Sequence, residues 1–225
     1  MWIKICANTN LADAQLAATL GADAAGFVFA PSKRRVTAEQ VARISPHLPA
    51  AIERVGVFHS LDAEEIAATT RTAGLTAVQL HGGVTPELAR ALQKIFNGKI
   101  KIIQTIHWQV DVEDSTTSAA ATDIARQLRQ LNEEGIVDRV LIDSKVGTAT
   151  GGTGIPFDWD KARAVLTQNA GNLKLIVAGG LRPENVAEAI QRLNPWGVDV
   201  ASGVESEPGK KSPEKLAAFL QNARA

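Results

Sequence analysis

Cys6, the single cysteine of the chain, closes the apolar run Trp2-Ile3-Lys4-Ile5-Cys6 just before the polar turn Ala7-Asn8-Thr9-Asn10. One thiol cannot form an internal disulfide, and metal sites usually want several soft ligands, so two readings stand: a small core residue or a reactive thiol. Four more polar side chains belong to later apolar runs: Arg34, His81 and Asp143 follow theirs, and Asp199 lies inside the last. Each also has a plain reading. An Asp after a strand is often a cap or turn residue, a His beside Gly82-Gly83 a turn residue, and Lys33-Arg34-Arg35 a solvated basic face. If the runs are strands of one parallel barrel, their carboxyl ends converge on a single mouth, where such barrels carry their chemistry, and the five side chains share it.

Two glycine-containing turns add a phosphate signal. Gly179-Gly180 follows the run Leu173 to Val177 and precedes a helix start at Pro183, and Ser202-Gly203 follows the run Gly197 to Val200. In barrels of eight strands, the loops after strands seven and eight and a helix N-terminus present backbone N–H groups to a phosphoryl group. A Cβ would keep the backbone from a close approach. Two ordinary turns would account for the same letters, but glycine in both loops together favours phosphate.

The elements that must position these residues follow from periodicity. Short apolar runs recur every twenty to thirty residues: Trp2 to Cys6, Ala24 to Phe29, Ile52 to Val57, Ala77 to Leu80, Ile100 to Ile103, Val140 to Ile142, Leu173 to Val177 and Gly197 to Val200. Between them lie helical patterns, such as Leu11, Ala14, Ala18 and Leu20, or Ile66, Ala67 and Thr70 after the acidic turn Asp62-Ala63-Glu64-Glu65. Thr85-Pro86-Glu87 and Arg182-Pro183-Glu184 carry proline and glutamate where helices begin. Runs apolar on both faces suit parallel strands covered by helices, so the expected fold is a single (βα)8 TIM barrel over residues 1–225. A doubly wound sheet would show a Gly-x-Gly-x-x-Gly turn after its first strand, which the chain lacks. The stretch Trp108 to Ala121, rich in Thr, Ser, Asp and Ala, reads as a long loop into a fifth helix, Thr122 to Leu131.

Composition narrows the partners. Lys plus Arg balances Asp plus Glu at 24 each, so no net field draws the molecule to nucleic acid or an anionic membrane. No signal peptide and no run of about 18 apolar residues is evident. The expectation is a cytoplasmic protein, monomer or homodimer, whose partner is a small phosphorylated molecule.

The strings Lys4-Ile5-Cys6, Gly26-Phe27-Val28-Phe29, Ser32-Lys33-Arg34, Arg54-Val55-Gly56-Val57-Phe58 and Val78-Gln79-Leu80-His81-Gly82 resemble the phosphoribosylanthranilate isomerases of tryptophan biosynthesis. The likeness continues through Leu141-Ile142-Asp143-Ser144, Gly151-Gly152-Thr153-Gly154, Ala178-Gly179-Gly180-Leu181, Asp199-Val200-Ala201-Ser202-Gly203-Val204-Glu205 and Pro208-Gly209-Lys210-Lys211. It implies an Amadori rearrangement of N-(5'-phosphoribosyl)anthranilate to 1-(2-carboxyphenylamino)-1-deoxyribulose 5-phosphate. By resemblance, Asp143 is the general acid that opens the ribose ring and Cys6 the base that takes the C2' proton. Arg34 would hold the anthranilate carboxylate, Asp199 and His81 would lie by the substrate, and Gly179, Gly180, Ser202 and Gly203 would bind phosphate. The iminium is its own electron sink, so no cofactor or metal is implied. Such roles need an Asp pKa raised by burial and a thiolate favoured by a nearby cation or strand-end dipoles.

One residue departs from the family pattern, which has Gly directly after the cysteine where this chain has Ala7. Because Ala7 extends a strand, a negative φ is expected there. The loop Lys145 to Gly154, rich in Gly and Thr, suits a lid. Two other readings remain open: a non-catalytic metabolite-binding barrel, and a histidine-pathway type of isomerase, which would use two carboxylates and lack the strand-one cysteine.

Overall fold

A computed structural model describes residues 1–110, 117–146 and 159–225. Among them, eight parallel strands close into a barrel: β1 (Trp2–Ile5), β2 (Ala24–Val28), β3 (Glu53–Phe58), β4 (Ala77–Leu80), β5 (Lys101–Val110), β6 (Arg139–Val146), β7 (Lys174–Val177) and β8 (Gly197–Val200). The ring closes where β1 pairs with β8 and Lys4 falls opposite Asp199. Helices α1 (Leu11–Thr19), α2 (Ala38–Ile44), α3 (Ala63–Ala73), α4 (Pro86–Ile95), α5 (Thr117–Glu134), α6 (Trp159–Asn169), α7 (Val186–Leu193) and α8 (Pro213–Asn222) alternate with the strands. None of the described helices is long and apolar enough to cross a membrane. Between β8 and α8 the chain makes a short 3₁₀ turn, Ser202–Val204, and a small antiparallel hairpin, β9 (Glu205–Glu207) and β10 (Lys210–Lys211).

The helix starts obey capping chemistry. Asn10, Asp62 and Ser212 accept hydrogen bonds from first-turn N–H groups of α1, α3 and α8, and Thr37 forms a reciprocal box with Gln40 at α2. Pro86 stands in the first turn of α4, as expected. The segment at Pro183 differs: residues 183–185 form a turn, the Asn185 side chain accepts from Arg182 N–H at 2.8 Å, and α7 starts only at Val186. Strand five departs furthest from its expected end. It continues to Val110 instead of stopping at Ile103, and α5 begins at Thr117 instead of Thr122. Pairing with β6 carries it on, because Ile106 and Trp108 are buried and alternate with Thr105 and His107. Residues 111–116 lie outside the described residues, as does the expected lid beyond Val146.

Period-two alternation sorts the strands into two cores. Trp2, Ala24, Val55, Ala77, Ile103, Leu141 and Ile176, one from each of β1 to β7, pack together inside the barrel. The larger cluster, including Ile3, Ile5, Phe27, Val78, Ile142 and Val198, packs against Leu92, Leu128, Val186 and Phe219 of the helices. At the amino end the interior is plugged by Trp2 stacked on Trp196, with Arg139 over both rings and paired to Glu53. Two residues further along, the inward position is polar on five of the eight strands, at Lys4, Gln79, Thr105, Asp143 and Asp199.

Candidate active site

The polar layer rises into a pocket of about 370 Å³ at the carboxyl ends of the strands. Its lining includes Cys6, Ala7, Arg34, His81, Asp143, Gly179, Gly180, Asp199 and Ser202. Of the site residues expected from sequence, only Gly203 is absent from that lining. Gly203 sits behind Ser202, packed on the backbone of Leu181 so tightly that a Cβ would overlap it. Arg34 lines the pocket while its neighbour Arg35 is exposed.

Cys6 continues the line of β1, its N–H donating to Val200 O at 2.8 Å, and is 7% exposed. Gly26 makes the space for it: a Cβ there would lie 2.9 Å from Cys6 Sγ and 2.9 Å from Lys4 Cε. Burial holds the Cys6 thiol above its ordinary value, Lys4 offsets only part of that rise, and Asp199 adds to it. Lys4 is 0% exposed and donates from Nζ to Asp199 Oδ1 at 3.0 Å. Burial opposes its charge, but Asp199 and Cys6 outweigh burial and hold the ammonium above its ordinary value.

Ala7 corrects the sequence expectation. Its φ is +62°, in the left-handed region. The cause is the turn that follows: Asn8 must swing back so that its N–H donates to Gly26 O at 2.9 Å and its Nδ2 to Ile5 O at 2.8 Å. This explains why glycine is the natural occupant there.

Asp143 is 7% exposed. Burial, reinforced by the like charge of Asp199 and opposed by Lys4, pushes its carboxyl up to about 7. On the same side His81 meets His107 edge-on, with ring centroids 4.5 Å apart, and stacks on His59 at 4.9 Å. His81, His107 and Asp143 each offer a ligand-type atom, and these atoms all lie within 4.8 Å of one another.

Arg34 is held by a buried carboxylate. Its Nε lies 2.9 and 3.0 Å from the two Glu205 oxygens and its Nη2 2.7 Å from Oε2. Glu205 also receives Lys211 Nζ at 3.4 Å, and Lys211 donates to Cys6 O at 2.5 Å. The β9–β10 hairpin therefore clamps both the arginine and the backbone of the cysteine. Burial works against the Glu205 charge, but Arg34 and Lys211 keep its carboxyl below the ordinary range.

On the opposite rim Gly179 and Gly180 adopt φ of +83° and +68°. A Cβ on Gly179 would lie 2.5 Å from Ser144 N, so glycine is required on two counts. Asn185 Nδ2 donates to Gly180 O at 3.0 Å and steadies the loop.

Sequence reasoning gave no role to Lys4, His59, Gln79, His107, Glu205 or Lys211. Lys4 was detectable by parity, because it lies two residues before Cys6 on one strand and so shares its face. His107 was hidden by the early end assigned to strand five.

Comparison with known proteins points to one family. The family model described as N-(5'phosphoribosyl)anthranilate (PRA) isomerase matches residues 3–222. An N-(5'-phosphoribosyl)anthranilate isomerase of Rubrobacter xylanophilus is 38% identical over 224 residues, covering 99% of this chain and 98% of the relative. The crystal structure of phosphoribosyl anthranilate isomerase from Thermotoga maritima is 36% identical, with a TM-score of 0.81 over 100% of this chain and 98% of that one. A phosphoribosyl anthranilate isomerase crystallised with reduced 1-(o-carboxyphenylamino)-1-deoxyribulose 5-phosphate is 35% identical, with a TM-score of 0.78 and the same coverage. Matched from end to end by model, relatives and structures alike, the chain belongs to the N-(5'-phosphoribosyl)anthranilate isomerase family.

Proposed function

We propose that this chain, as a single barrel domain in the cytoplasm, converts N-(5'-phosphoribosyl)anthranilate to 1-(2-carboxyphenylamino)-1-deoxyribulose 5-phosphate in tryptophan biosynthesis. The observation that carries the reading is one pocket shared by Cys6 and by an Asp143 carboxyl held at about 7. A carboxyl of that pKa is substantially protonated at neutral pH and matched to general acid work.

In the proposed sequence Asp143 donates its proton to the ribose ring oxygen. The C1'–oxygen bond breaks and the anthranilate nitrogen supplies the electron pair that forms the C1' iminium. The Cys6 thiolate takes the proton from C2', the C–H electron pair becomes the C1'=C2' bond of an enolamine, and the C1'=N π pair returns to nitrogen, cancelling the iminium charge. Loss of the C2' hydroxyl proton and protonation of C1' give the ketone. Transfer of one proton from Cys6 to Asp143 restores the starting state.

The rest of the mouth fits the two anions of the substrate. With Nε and Nη2 on Glu205, Arg34 is preorganised as a cation, and Nη1, which makes no hydrogen bond among the described residues, is the donor for the anthranilate carboxylate. The phosphate goes to the N–H groups around Gly179, Gly180, Ser202 and Gly203. Asp199 and His81 flank the ribose. Substrate generated in situ is fluorescent and its emission is lost on isomerisation, so adding the protein should quench it at a rate proportional to protein concentration. Stable emission in the presence of folded protein would overturn the reading.

A further inference from the structure

Lys4 is a buried cation with no access to solvent, at the floor of a site whose proposed chemistry does not use it. Its Nζ lies 3.0 Å from Asp199 Oδ1, and its Cε and the Cys6 sulfur crowd the same face of Gly26, each 2.9 Å from where a Cβ would stand. An ammonium with a single carboxylate partner in a polar interior could serve only to neutralise it. The geometry here adds the Cys6 sulfur as a near neighbour across Gly26. Parity on β1 sends residues 4 and 6 to the same interior face, and the β1–β8 register sets Asp199 beside Lys4 rather than beside Cys6.

We propose that Lys4 is a positioning residue for the isomerisation, an ammonium oriented by Asp199 so that the thiolate of Cys6 forms inside the barrel. The inference rests on the reading of Cys6 as the base. A thiol enclosed this deeply resists ionisation unless a cation is fixed beside it. The charged groups facing Cys6 are Lys4 from β1, Asp199 from β8, Lys211 from β10 and Arg34 from the loop after β2, and of the three cations Lys4 acts on it most strongly. Lys211 is turned to the backbone oxygens of Cys6 and Ala201, and Arg34 is committed to Glu205.

The test uses alkylation of native protein by iodoacetamide as a function of pH, followed by mass, since Cys6 is the only thiol. Lys4→Met should move the midpoint upward by at least about one unit, which is about a tenfold slower reaction at pH 8. Asp199→Asn, which keeps the cation and removes the repelling carboxylate, should move it downward. The double variant Lys4→Met/Asp199→Asn leaves no buried charge unpaired, so it folds even where Lys4→Met alone does not, and its midpoint should again lie above that of the wild type. A residue that only neutralised Asp199 would leave the midpoint of the double variant at or below the wild-type value, and that result overturns the proposal. Isomerase kinetics separate this failure from failure of the underlying reading. If Cys6→Ser turns over normally, Cys6 is not the base whatever the alkylation shows; if Cys6→Ser is inactive and the midpoints do not move, only the role of Lys4 is wrong.

Discussion

Replacing Asp143 by Asn should make the protein more stable at pH 8 while slowing it, and the size of the effect follows from the burial of the carboxyl. In the folded chain that carboxyl titrates at about 7, against about 3.9 in an unfolded chain. Between those values the folded state binds more protons than the unfolded state, so stability falls as pH rises through the window. From pH 5 to the folded pKa is two units, and at 1.36 kcal/mol per unit the wild type loses about 3 kcal/mol that an amide does not lose. This is a ceiling, because Lys4 and Asp199 readjust when the carboxyl ionises. Urea denaturation at pH 5 and at pH 8 should therefore show the stability gap between Asp143→Asn and wild type widening by about 2 to 3 kcal/mol, a relative gain of roughly 4 to 12 °C in Tm. The same variant lacks the transferable proton and should lose kcat by about a hundredfold or more with KM little changed. A gap that is flat or narrows with pH would refute the account of the carboxyl, and weakened binding with normal kcat would make Asp143 an orienting residue.

Arg34→Ala should raise KM at least about tenfold, the scale of one lost charged hydrogen bond, and an unchanged KM would remove it from the carboxylate site. Ala7→Gly relieves a left-handed alanine worth about 1 to 2 kcal/mol, partly offset by about 0.4 to 1 kcal/mol of unfolded-chain entropy. The expected net is a gain of about 0.5 kcal/mol and an equal or higher kcat/KM, and a loss of about 1 kcal/mol in thermal unfolding would contradict the +62° φ. Gly179→Ala must place a methyl 2.5 Å from Ser144 N at a φ of +83°, so it should destabilise by more than about 2 kcal/mol or, if the loop shifts to make room, raise KM. Wild-type values of both Tm and KM would show that the loop is not held as described.

The barrel was legible because its signal is spread over eight separate apolar runs, and an error at one end of one run cannot change the count. The ends themselves were less legible. β5 runs past Ile103 because Ile106 and Trp108 find burial against the outer core once β6 is alongside, which is a tertiary gain with no local cue. Site positions such as Cys6, Asp143 and Asp199 could be placed from strand ends alone. Their partners were not visible in that way, since the Lys4–Asp199 and Arg34–Glu205 pairs join residues 195 and 171 positions apart. The expectation of a negative φ at Ala7 failed for a related reason. Strand geometry stops at Ile5, and the hydrogen bonds of Asn8 to Gly26 and Ile5 bend the chain just beyond Cys6.

Steady-state turnover of Cys6→Ser on N-(5'-phosphoribosyl)anthranilate, measured beside the wild type with thermal melts of both, is the most direct test of a thiolate base in this barrel. The hydroxyl is close in size to the thiol but far less acidic, so kcat should fall by at least about a hundredfold while Tm stays nearly unchanged. Near-normal turnover by the serine variant would contradict the account.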